Sequence, residues 1–285
     1  MVDRGKIIDG KAIAAQLRQE LKSEVESLRE KGTVPGLTVI LVGNNQASET
    51  YVRGKIKACA EVGIHSDLVR MSPEITEDAL LDKIRQLNVD SSVHGILVQL
   101  PLPDHISPDR ILSEIDPDKD VDGFHPINAG RLVTGLDAFL PCTPHGILEL
   151  LKRTGIEIAG KHAVVVGRSN IVGKPISILL QRENATVTMC HSRTVDLKSH
   201  TRQADILVAA VGKLHVITAD HVKPDSVVID VGMNRDENGK LAGDVDFEGV
   251  RPIVSYITPV PGGVGPMTIA MLLYNTCQSA KMKSR

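Results

Sequence analysis

Residues 161–194, KHAVVVGRSNIVGKPISILLQRENATVTMCHSRT, contain an apolar run, a glycine-bounded loop, a helical segment and a second apolar run. Short runs of Val, Ile and Leu are typical of strands buried on both faces of a parallel sheet. We therefore predict strands over residues 163–166 and 186–190, joined by a helix over 174–181. A glycine loop between a strand and a helix lets the backbone approach a phosphate at the helix N-terminus. The stretch thus predicts a nucleotide-binding α/β unit.

The loop itself, GRSNIVG at 167–173, departs from the G-x-G-x-x-G pattern because Ser169 replaces its second glycine. NAD sites usually carry an acid near the end of the second strand, where it binds the ribose 2′-hydroxyl. Here that strand is followed by HSRT at 191–194, which contains no acid. Arg168, Arg193 and the hydroxyls suit a 2′-phosphate instead, so we predict NADP. The alternative is that Arg193 is an ordinary solvated charge.

The alternation of apolar runs and helical segments extends along the chain and predicts the α/β class with a parallel sheet. Further strands are predicted over residues 37–42, 95–100, 205–211 and 227–231. Further helices are predicted over residues 11–31, 48–62, 76–87, 143–152 and 267–277. Residues 101–145 are rich in Pro, Asp and Gly, so we predict an irregular connection between two domains there. Thr143 precedes a proline and is predicted to be the N-cap of its helix.

The composition argues against several classes of protein. The net charge is -2 and the charges are well mixed, so nothing indicates a nucleic-acid or membrane surface. No apolar stretch approaches the roughly eighteen residues of a membrane span, and the first ten residues lack the apolar core of a signal peptide. The four cysteines form no C-x-x-C pair and are predicted to be reduced thiols of a cytosolic protein. No spacing of His and Cys indicates a metal site.

Lys55 lies on an otherwise mainly apolar stripe of the predicted helix over 48–62. At about 100° per residue, this stripe comprises Tyr51, Lys55, Ala58, Cys59 and Val62. A lysine in this place either extends its ammonium group to the rim of the protein or is partly desolvated. Desolvation lowers the pKa of an ammonium group and can make lysine a usable base at neutral pH. Spacing alone favours the first alternative, and Tyr51 could pack against a flat ligand or against Lys55.

Two further polar residues are candidates for ligand binding. Gln99 ends a predicted strand, where it could face a ligand or bond a neighbouring loop. Residues 118–123, DKDVDG, fit the opening of a calcium loop. Calcium is nevertheless rejected, because Ala129 stands where a bidentate Glu is required and Pro126 interrupts the loop. The segment is therefore either a solvated acidic turn or a place where Asp122 binds a ligand with paired N–H donors.

Six motifs, in order along nearly the whole chain, resemble those of the bifunctional methylenetetrahydrofolate dehydrogenase/methenyltetrahydrofolate cyclohydrolase family. They are YVRGKIKAC at 51–59, QLPLP at 99–103, DKDVDGFHP at 118–126, PCTP at 141–144, GRSNIVG at 167–173 and TPVPGGVGPMT at 258–268. Six motifs in register are far more specific than any single one of them.

The resemblance implies two domains with a cleft between them. A folate-binding catalytic domain would comprise residues 1–140 and 268–285, and a Rossmann-like NADP-binding domain would comprise residues 141–267. The implied reactions are the NADP-dependent oxidation of 5,10-methylenetetrahydrofolate to 5,10-methenyltetrahydrofolate and its hydrolysis to 10-formyltetrahydrofolate. The protein would thus be both an oxidoreductase and a hydrolase.

The resemblance also implies roles for individual residues. Lys55 would assist the attack of water as a general base, and Gln99 would orient Lys55 or the substrate. Asp122 would hold the pterin, which Tyr51 would flank. The implied border of the folate site consists of Pro261, Gly262 and Gly265. The implied cofactor-binding residues are Gly167, Arg168, Ser169, Gly173, Ser192 and Met233.

Beyond the site, the resemblance implies a cytoplasmic homodimer without nucleic-acid or membrane partners. It would act in tetrahydrofolate interconversion, a part of one-carbon metabolism linked to purine, histidine and methionine biosynthesis. Two alternatives stay open. One is another NADP-dependent two-domain dehydrogenase, of the shikimate type, which would also use a lysine but would hydrolyse nothing. The other is a non-enzymatic NADP-binding module, although such a module has no need of Tyr51, Lys55, Gln99 and Asp122 together.

Overall fold

Strands and helices alternate along residues 4–283, the part of the chain that the computed structural model describes. The strands are β1 (Lys6–Ile7), β2 (Gly36–Val42), β3 (His65–Met71), β4 (Gly95–Val98), β5 (His162–Val166), β6 (Thr186–Cys190), β7 (Ile206–Ala209), β8 (Val227–Asp230), β9 (Asn234–Arg235), β10 (Leu241–Ala242) and β11 (Tyr256–Ile257). The helices are α1 (Gly10–Glu30), α2 (Gln46–Val62), α3 (Glu77–Val89), α4 (Pro108–Glu114), α5 (Pro126–Thr134), α6 (Cys142–Arg153), α7 (Gly173–Arg182), α8 (Leu197–Thr201), α9 (Phe247–Val250) and α10 (Val264–Lys283). A 3-10 helix covers Ala219–His221.

The chain forms two compact units. One unit combines the chain up to Ala14 with Thr143–Thr268, and the other combines Ala15–Cys142 with the chain from Ile269 onward. The predicted division placed all of residues 1–140 together, and the structure differs at this point. The segment up to Ala14 belongs with the later part of the chain because β1 pairs with β11 in parallel. Met1–Asp3 and Ser284–Arg285 of the predicted domain lie outside the described residues.

The first unit contains a six-stranded sheet in the order β1-β11-β8-β7-β5-β6, in which each pair is parallel. β5 pairs with β6 on one side and with β7 on the other, so the strand order reverses at β5. Ligands of open α/β sheets bind beyond the carboxyl ends of the strands at such a switch point. The predicted nucleotide loop over 167–173 directly follows β5 and therefore lies at this point.

The second unit contains a parallel three-stranded sheet in the order β3-β2-β4. Every residue of the central strand β2 is buried, as expected for an apolar run with a neighbour on each side. Its core includes Ile40, Ile84, Ile96 and Ile111, from β2, α3, β4 and α4. Gln99 follows β4, and its backbone N–H donates to the carbonyl of Ile40 at 2.9 Å. The sheet thus fixes the backbone at the position of Gln99.

The α/β class and the parallel sheets are confirmed, but two local predictions are wrong and the strand β3 was not predicted. Residues 101–145 are not wholly irregular, because they contain α4 and α5, each with a proline in its first turn. β3 has a neighbour on one side only, so polar residues are tolerated in it. Thr143 is not an N-cap, since α6 already begins at Cys142.

Three features concern membranes, metal ions and cysteines. Within residues 4–283, no helix combines the length and the apolar composition needed to cross a membrane. The same residues contain no group of three or more His, Cys, Asp or Glu side chains placed to hold a metal ion. The four cysteines are buried free thiols.

Candidate active site and nucleotide loop

Helix α2 carries Lys55 near its middle. The side chain of Asn45 caps the helix by accepting the N–H of Ser48 at 3.1 Å. Gly63 ends the helix in the left-handed conformation with a φ of 85°, which glycine adopts without strain. Lys55 is only 8% exposed, so its ammonium group does not extend to the rim of the protein. The structure thus favours the buried alternative over the one that spacing alone favoured.

Gln99 is the hydrogen-bond partner of this buried lysine. Lys55 Nζ donates to Gln99 Oε1 at 3.1 Å. The amide nitrogen of Gln99 donates to the carbonyl of Leu100 at 2.7 Å, and this second bond determines that the amide oxygen faces Lys55. The two residues are 44 positions apart in the chain, with Lys55 on α2 and Gln99 directly after β4. The predicted alternatives for Gln99 were facing a ligand or bonding a neighbouring loop. The side chain bonds a loop carbonyl, and it also bonds the candidate catalytic lysine.

Asp122 lies in the electrostatic field of the same lysine. Burial raises the pKa of its carboxyl, while the positive charge of Lys55 and a hydrogen bond from Cys142 oppose this effect. The backbone N–H of Cys142 also donates to the carbonyl of Asp122 at 3.3 Å. A carboxyl group that is partly desolvated and close to a lysine is typical of functional sites. Lys55, Gln99 and Asp122 therefore form one cluster within the second unit.

Tyr51 lies on α2 one turn before Lys55. Its side chain keeps 38% of its surface exposed, and burial of the remainder raises the pKa of the phenol. A half-exposed aromatic ring next to a buried polar cluster offers a flat apolar face to a planar ligand. Part of the Tyr51 ring is therefore open to a ligand.

Gly167 and Gly173 shape the loop between β5 and α7. Gly167 has a φ of 136°, and a Cβ there would lie 2.2 Å from the carbonyl oxygen of Ala210. A Cβ on Gly173 would lie 2.3 Å from the carbonyl oxygen of Gly167. Neither position has room for a side chain, so the loop packs tightly against its neighbours. Ser169 Oγ accepts the N–H groups of Val172 and Gly173 at 3.2 Å each, and thereby orders the start of α7.

Arg168 and Ser192 lie at the carboxyl ends of two paired strands. Val166 of β5 is in register with Cys190 of β6, and each of the two polar residues lies two positions further along. Gly167 N–H donates to the carbonyl of Cys190 at 2.9 Å, which extends the pairing to the loop. Both Arg168 and Ser192 are exposed. The sheet thus brings together a cation and a hydroxyl at the place where a 2′-phosphate was predicted to bind.

The remaining predicted site residues also belong to the first unit. Met233 follows β8 and is 50% exposed. Pro261 and Gly262 lie in the loop after β11, where the carbonyl of Gly262 accepts the N–H of Lys11 at 3.1 Å. Gly265 lies in the first turn of α10. These residues therefore belong to the unit that carries the loop between β5 and α7.

Two buried aspartates, which the sequence analysis did not single out, fix loops of the first unit. Asp244 accepts the backbone N–H groups of residues 211–213, which follow β7, at 2.5 to 3.0 Å. Asp230, at the end of β8, accepts the N–H groups of Gly232, Asp244 and Val245. Burial raises the pKa of Asp230 to about 6 although these bonds favour the charged form. Both carboxyls order backbone at the carboxyl edge of the sheet, the edge at which ligands bind.

Two domain models of one protein family together match most of the chain. The model of the tetrahydrofolate dehydrogenase/cyclohydrolase catalytic domain matches residues 8–122. The model of the NAD(P)-binding domain of the same family matches residues 141–284. The first match includes the cluster around Lys55, and the second includes the loop between β5 and α7.

Individual relatives agree with these matches. The bifunctional protein FolD of Brevibacillus brevis is 61% identical over 279 residues, which are 98% of each chain. The crystal structure of the bifunctional FolD methylenetetrahydrofolate dehydrogenase/cyclohydrolase of Campylobacter jejuni is 55% identical. It covers 98% of this chain and 99% of that one with a TM-score of 0.96. The Trypanosoma brucei dehydrogenase-cyclohydrolase, solved with NADP and an inhibitor, is 42% identical with a TM-score of 0.94, and covers 99% of each chain.

The shikimate-type alternative is much weaker. A shikimate dehydrogenase of Aquifex aeolicus is 14% identical with a TM-score of 0.51, over 88% of this chain and 92% of that one, which is a likeness of fold alone. The matches of the two family domains and the identities of about 60% decide between the alternatives. The chain belongs to the tetrahydrofolate dehydrogenase/cyclohydrolase family.

Proposed function

We propose that this protein oxidises 5,10-methylenetetrahydrofolate with NADP and hydrolyses the resulting 5,10-methenyltetrahydrofolate to 10-formyltetrahydrofolate. The observation that carries the proposal is the hydrogen bond between Lys55 and Gln99 next to Asp122, in a chain of this family. The cluster offers a cation, an amide and a carboxyl within a partly desolvated site. Such groups suit the binding of a pterin and the activation of a water molecule.

Substrate binding is the proposed task of Asp122 and Tyr51. The carboxylate of Asp122 would accept two N–H donors of the pterin, a pairing that is stronger in a partly desolvated place than in water. Tyr51 would pack its exposed ring face against the pterin. Together they would fix the ring so that the methylene carbon loses a hydride and becomes the methenyl cation.

Hydrolysis of the methenyl cation is the proposed task of Lys55. The carbon is already electrophilic, so the enzyme has mainly to deprotonate the attacking water. Lys55 Nζ would take that proton directly or through a bound water. Gln99 Oε1 would hold Nζ in place by the hydrogen bond at 3.1 Å. After addition, the hydroxyl proton of the adduct passes to N5 as the bond from the former methenyl carbon to N5 breaks, which leaves the formyl group on N10.

Nucleotide binding is the proposed task of the loop between β5 and α7, and NADP supplies the acceptor for the hydride. The tight packing at Gly167 and Gly173 provides a loop whose backbone a pyrophosphate can approach closely. Gly167, Ser169 and Gly173 would line the phosphates. Arg168 and Ser192 would bind the 2′-phosphate, and Met233 would lie behind the cofactor. The Trypanosoma brucei relative was solved with NADP, which supports this choice over NAD.

The wider setting is part of the same proposal. We assign folate binding to the second unit and nucleotide binding to the first, with Pro261, Gly262 and Gly265 on the border of the folate site. The protein would act as a cytoplasmic homodimer. Its product would supply purine biosynthesis, and the same one-carbon pool would connect to histidine and methionine biosynthesis. Family membership supports these assignments.

The reactions can be tested with the purified protein by absorbance at the methenyl-folate band. Methylenetetrahydrofolate with NADP should give the methenyl form and NADPH, and the rate with NAD should be lower. Methenyltetrahydrofolate alone should be hydrolysed without any nucleotide. Oxidation without hydrolysis would leave a monofunctional dehydrogenase, and the absence of both reactions would disprove the proposal.

A further inference from the structure

Two buried polar residues stand out in the largely apolar helix α10. Asn275 and Ser279 are 2% and 1% exposed and lie four positions apart, so they share one face of the helix. Buried polar side chains are costly unless they are hydrogen-bonded. Both residues donate to backbone carbonyls of the segment that leads to Asp122, and neither has a place in the chemistry described above.

Asn275 binds the backbone on both sides of the Asp122 region. Its amide nitrogen donates to the carbonyl of Val121 at 2.8 Å and to that of Leu140 at 3.0 Å. Carbonyl oxygens only accept hydrogen bonds, so the orientation of the amide is determined. Val121 directly precedes Asp122, and Cys142 Sγ donates to the same Val121 carbonyl at 3.3 Å. One side chain thus ties the acidic segment to the segment over 140–142.

Ser279 fixes the start of the same segment. Its hydroxyl lies 2.6 Å from the carbonyl of His94 and 2.8 Å from that of Asp118, and its single proton is shared between them. His94 directly precedes β4, the strand that leads to Gln99. The N–H of Ile96 in β4 also donates to the carbonyl of Lys119 at 2.9 Å. The segment over 118–122 is therefore held against both β4 and α10.

We propose that Asn275, assisted by Ser279, is a positioning residue that holds the Asp122 carboxylate in the geometry required for folate binding. The proposal rests on the role of Asp122 proposed above. The segment over 118–122 belongs to no helix or named strand, and its Asp118 and Val121 carbonyls accept hydrogen bonds from side chains of α10. Without the amide of Asn275, the carbonyls of Val121 and Leu140 lose a buried donor, and the backbone relaxes toward other partners. Asp122 then moves relative to Lys55.

The test is a comparison of Asn275→Leu, Ser279→Ala and the control Thr276→Val. Leucine has nearly the shape of asparagine but donates no hydrogen bond. Thr276 is buried on the same helix, and its hydroxyl donates only within α10, to the carbonyl of Leu272, so it is a matched control. Asn275→Leu should raise the KM for methylenetetrahydrofolate about tenfold, equivalent to about 1.4 kcal/mol. The KM for NADP should stay unchanged, Ser279→Ala should shift the folate KM in the same direction but less, and Thr276→Val should leave both constants unchanged.

A double-mutant cycle with Asp122→Asn separates positioning from a general loss of structure. If Asn275 acts through Asp122, the double variant should have the folate KM of Asp122→Asn alone. Additive effects, or an equal rise in both Michaelis constants, would overturn the proposal. If Asn275→Leu does not fold, the same criteria apply to Ser279→Ala.

The same cycle distinguishes this proposal from the one on which it rests. A raised folate KM in Asp122→Asn with a normal one in a folded Asn275→Leu overturns only the positioning role. An unchanged folate KM in Asp122→Asn shows that Asp122 does not hold the substrate. In that case Asn275 has nothing to position, and both proposals fail.

Discussion

Lys55 is buried next to a hydrogen-bond acceptor and a carboxyl group. Gln99 accepts its hydrogen bond, and the positive charge of Lys55 opposes the effect of burial on the pKa of the Asp122 carboxyl. Lys55→Met retains most of the side-chain volume and removes the nitrogen. We expect cyclohydrolase activity to fall by about 10²–10⁴-fold, the usual contribution of a general base, while part of the hydride transfer remains. The rates of methenyltetrahydrofolate hydrolysis and of NADPH formation measure the two effects separately.

Lys57 provides the matched control for this experiment. It lies on the exposed side of the same helix, so Lys57→Met removes an equal charge from α2 without touching the cluster. Both activities should stay close to those of the unmodified protein. An unchanged hydrolysis rate in Lys55→Met would refute the assignment of Lys55 as the base.

Arg168 tests the choice between the two nicotinamide cofactors. If its guanidinium binds the 2′-phosphate, Arg168→Ala removes a charge-assisted bond that only NADP can form. We expect the KM for NADP to rise about tenfold to a hundredfold, with little change for NAD. Arg182→Ala serves as control, since it removes an exposed cation from the far end of α7. Equal shifts for NADP and NAD would contradict the role of Arg168 in recognising the 2′-phosphate.

At the scale of elements, the loop between β5 and α7 depends on the absence of side chains. A Cβ on Gly173 would lie 2.3 Å from the carbonyl oxygen of Gly167, so Gly173→Ala must displace backbone. We expect at least a tenfold higher KM for NADP and a lower melting temperature. Gly130 in α5 has open space around its Cβ position. Gly130→Ala should therefore raise stability by about 0.5–1 kcal/mol, because alanine loses less backbone entropy in a helix.

The two glycine variants together separate loop geometry from the general effect of adding a methyl group. Michaelis constants for NADP and thermal unfolding curves would be measured for both. A normal KM for NADP in a folded Gly173→Ala variant would show that the loop does not depend on close packing at this point.

The elements most easily predicted from sequence are those whose own residues determine them. Strands β2, β5 and β6 lie within one residue of their predicted limits. β2 and β5 are apolar runs between loops, which have few other solutions. β6 was predicted to be buried on both faces, but it is a partly exposed edge strand. β3 was missed because its pairing on one side only leaves no continuous apolar run. α4 and α5 escape prediction because prolines usually indicate irregular chain, although Pro108 and Pro126 lie in the first turns of helices.

The candidate site could be predicted only in part for a related reason. Helical spacing identifies the stripe that bears Lys55, but not whether its side chain reaches solvent. The bond to Gln99 depends on tertiary packing between residues 44 positions apart. Asp230, Asp244 and Asn275 act on backbone atoms of distant loops, and no local pattern encodes such contacts. Their one sequence signal is a polar residue within or beside an apolar segment.

At the scale of the whole molecule, both units use a buried aspartate to order a loop near a strand end. Asp120 accepts the N–H groups of Phe124 and His125 in one unit, and Asp230 plays the corresponding part in the other. Burial raises the pKa of each carboxyl to about 6. The two carboxyl groups order backbone, but burial disfavours their charged form. The free energy of unfolding should therefore depend on pH.

The sign of this dependence can be tested with Asp230→Asn. The pKa of Asp230 is raised from 3.8 to about 6, so the folded protein binds the proton more tightly than the unfolded chain. Its contribution to stability is therefore largest below about pH 4 and is lost as the pH rises through about 6. The asparagine does not titrate. When the pH falls from 7 to 5, the free energy of unfolding of the unmodified protein should rise by about 1 kcal/mol relative to that of Asp230→Asn. Chemical denaturation at the two pH values measures this difference.

Asp225→Asn is the control that makes the result specific to burial. Asp225 is exposed and pairs with Arg4, which lowers the pKa of its carboxyl below 3.8. Because that carboxyl is ionised at pH 5 and at pH 7, in the folded and in the unfolded chain, its removal should cost the same at both pH values. Asp230→Asn should differ from Asp225→Asn in that its effect on the free energy of unfolding changes between pH 5 and pH 7. A stability difference for Asp230→Asn that is equal at both pH values, or larger at pH 7, would show that the carboxyl is ionised throughout and that its backbone donors outweigh the cost of burial.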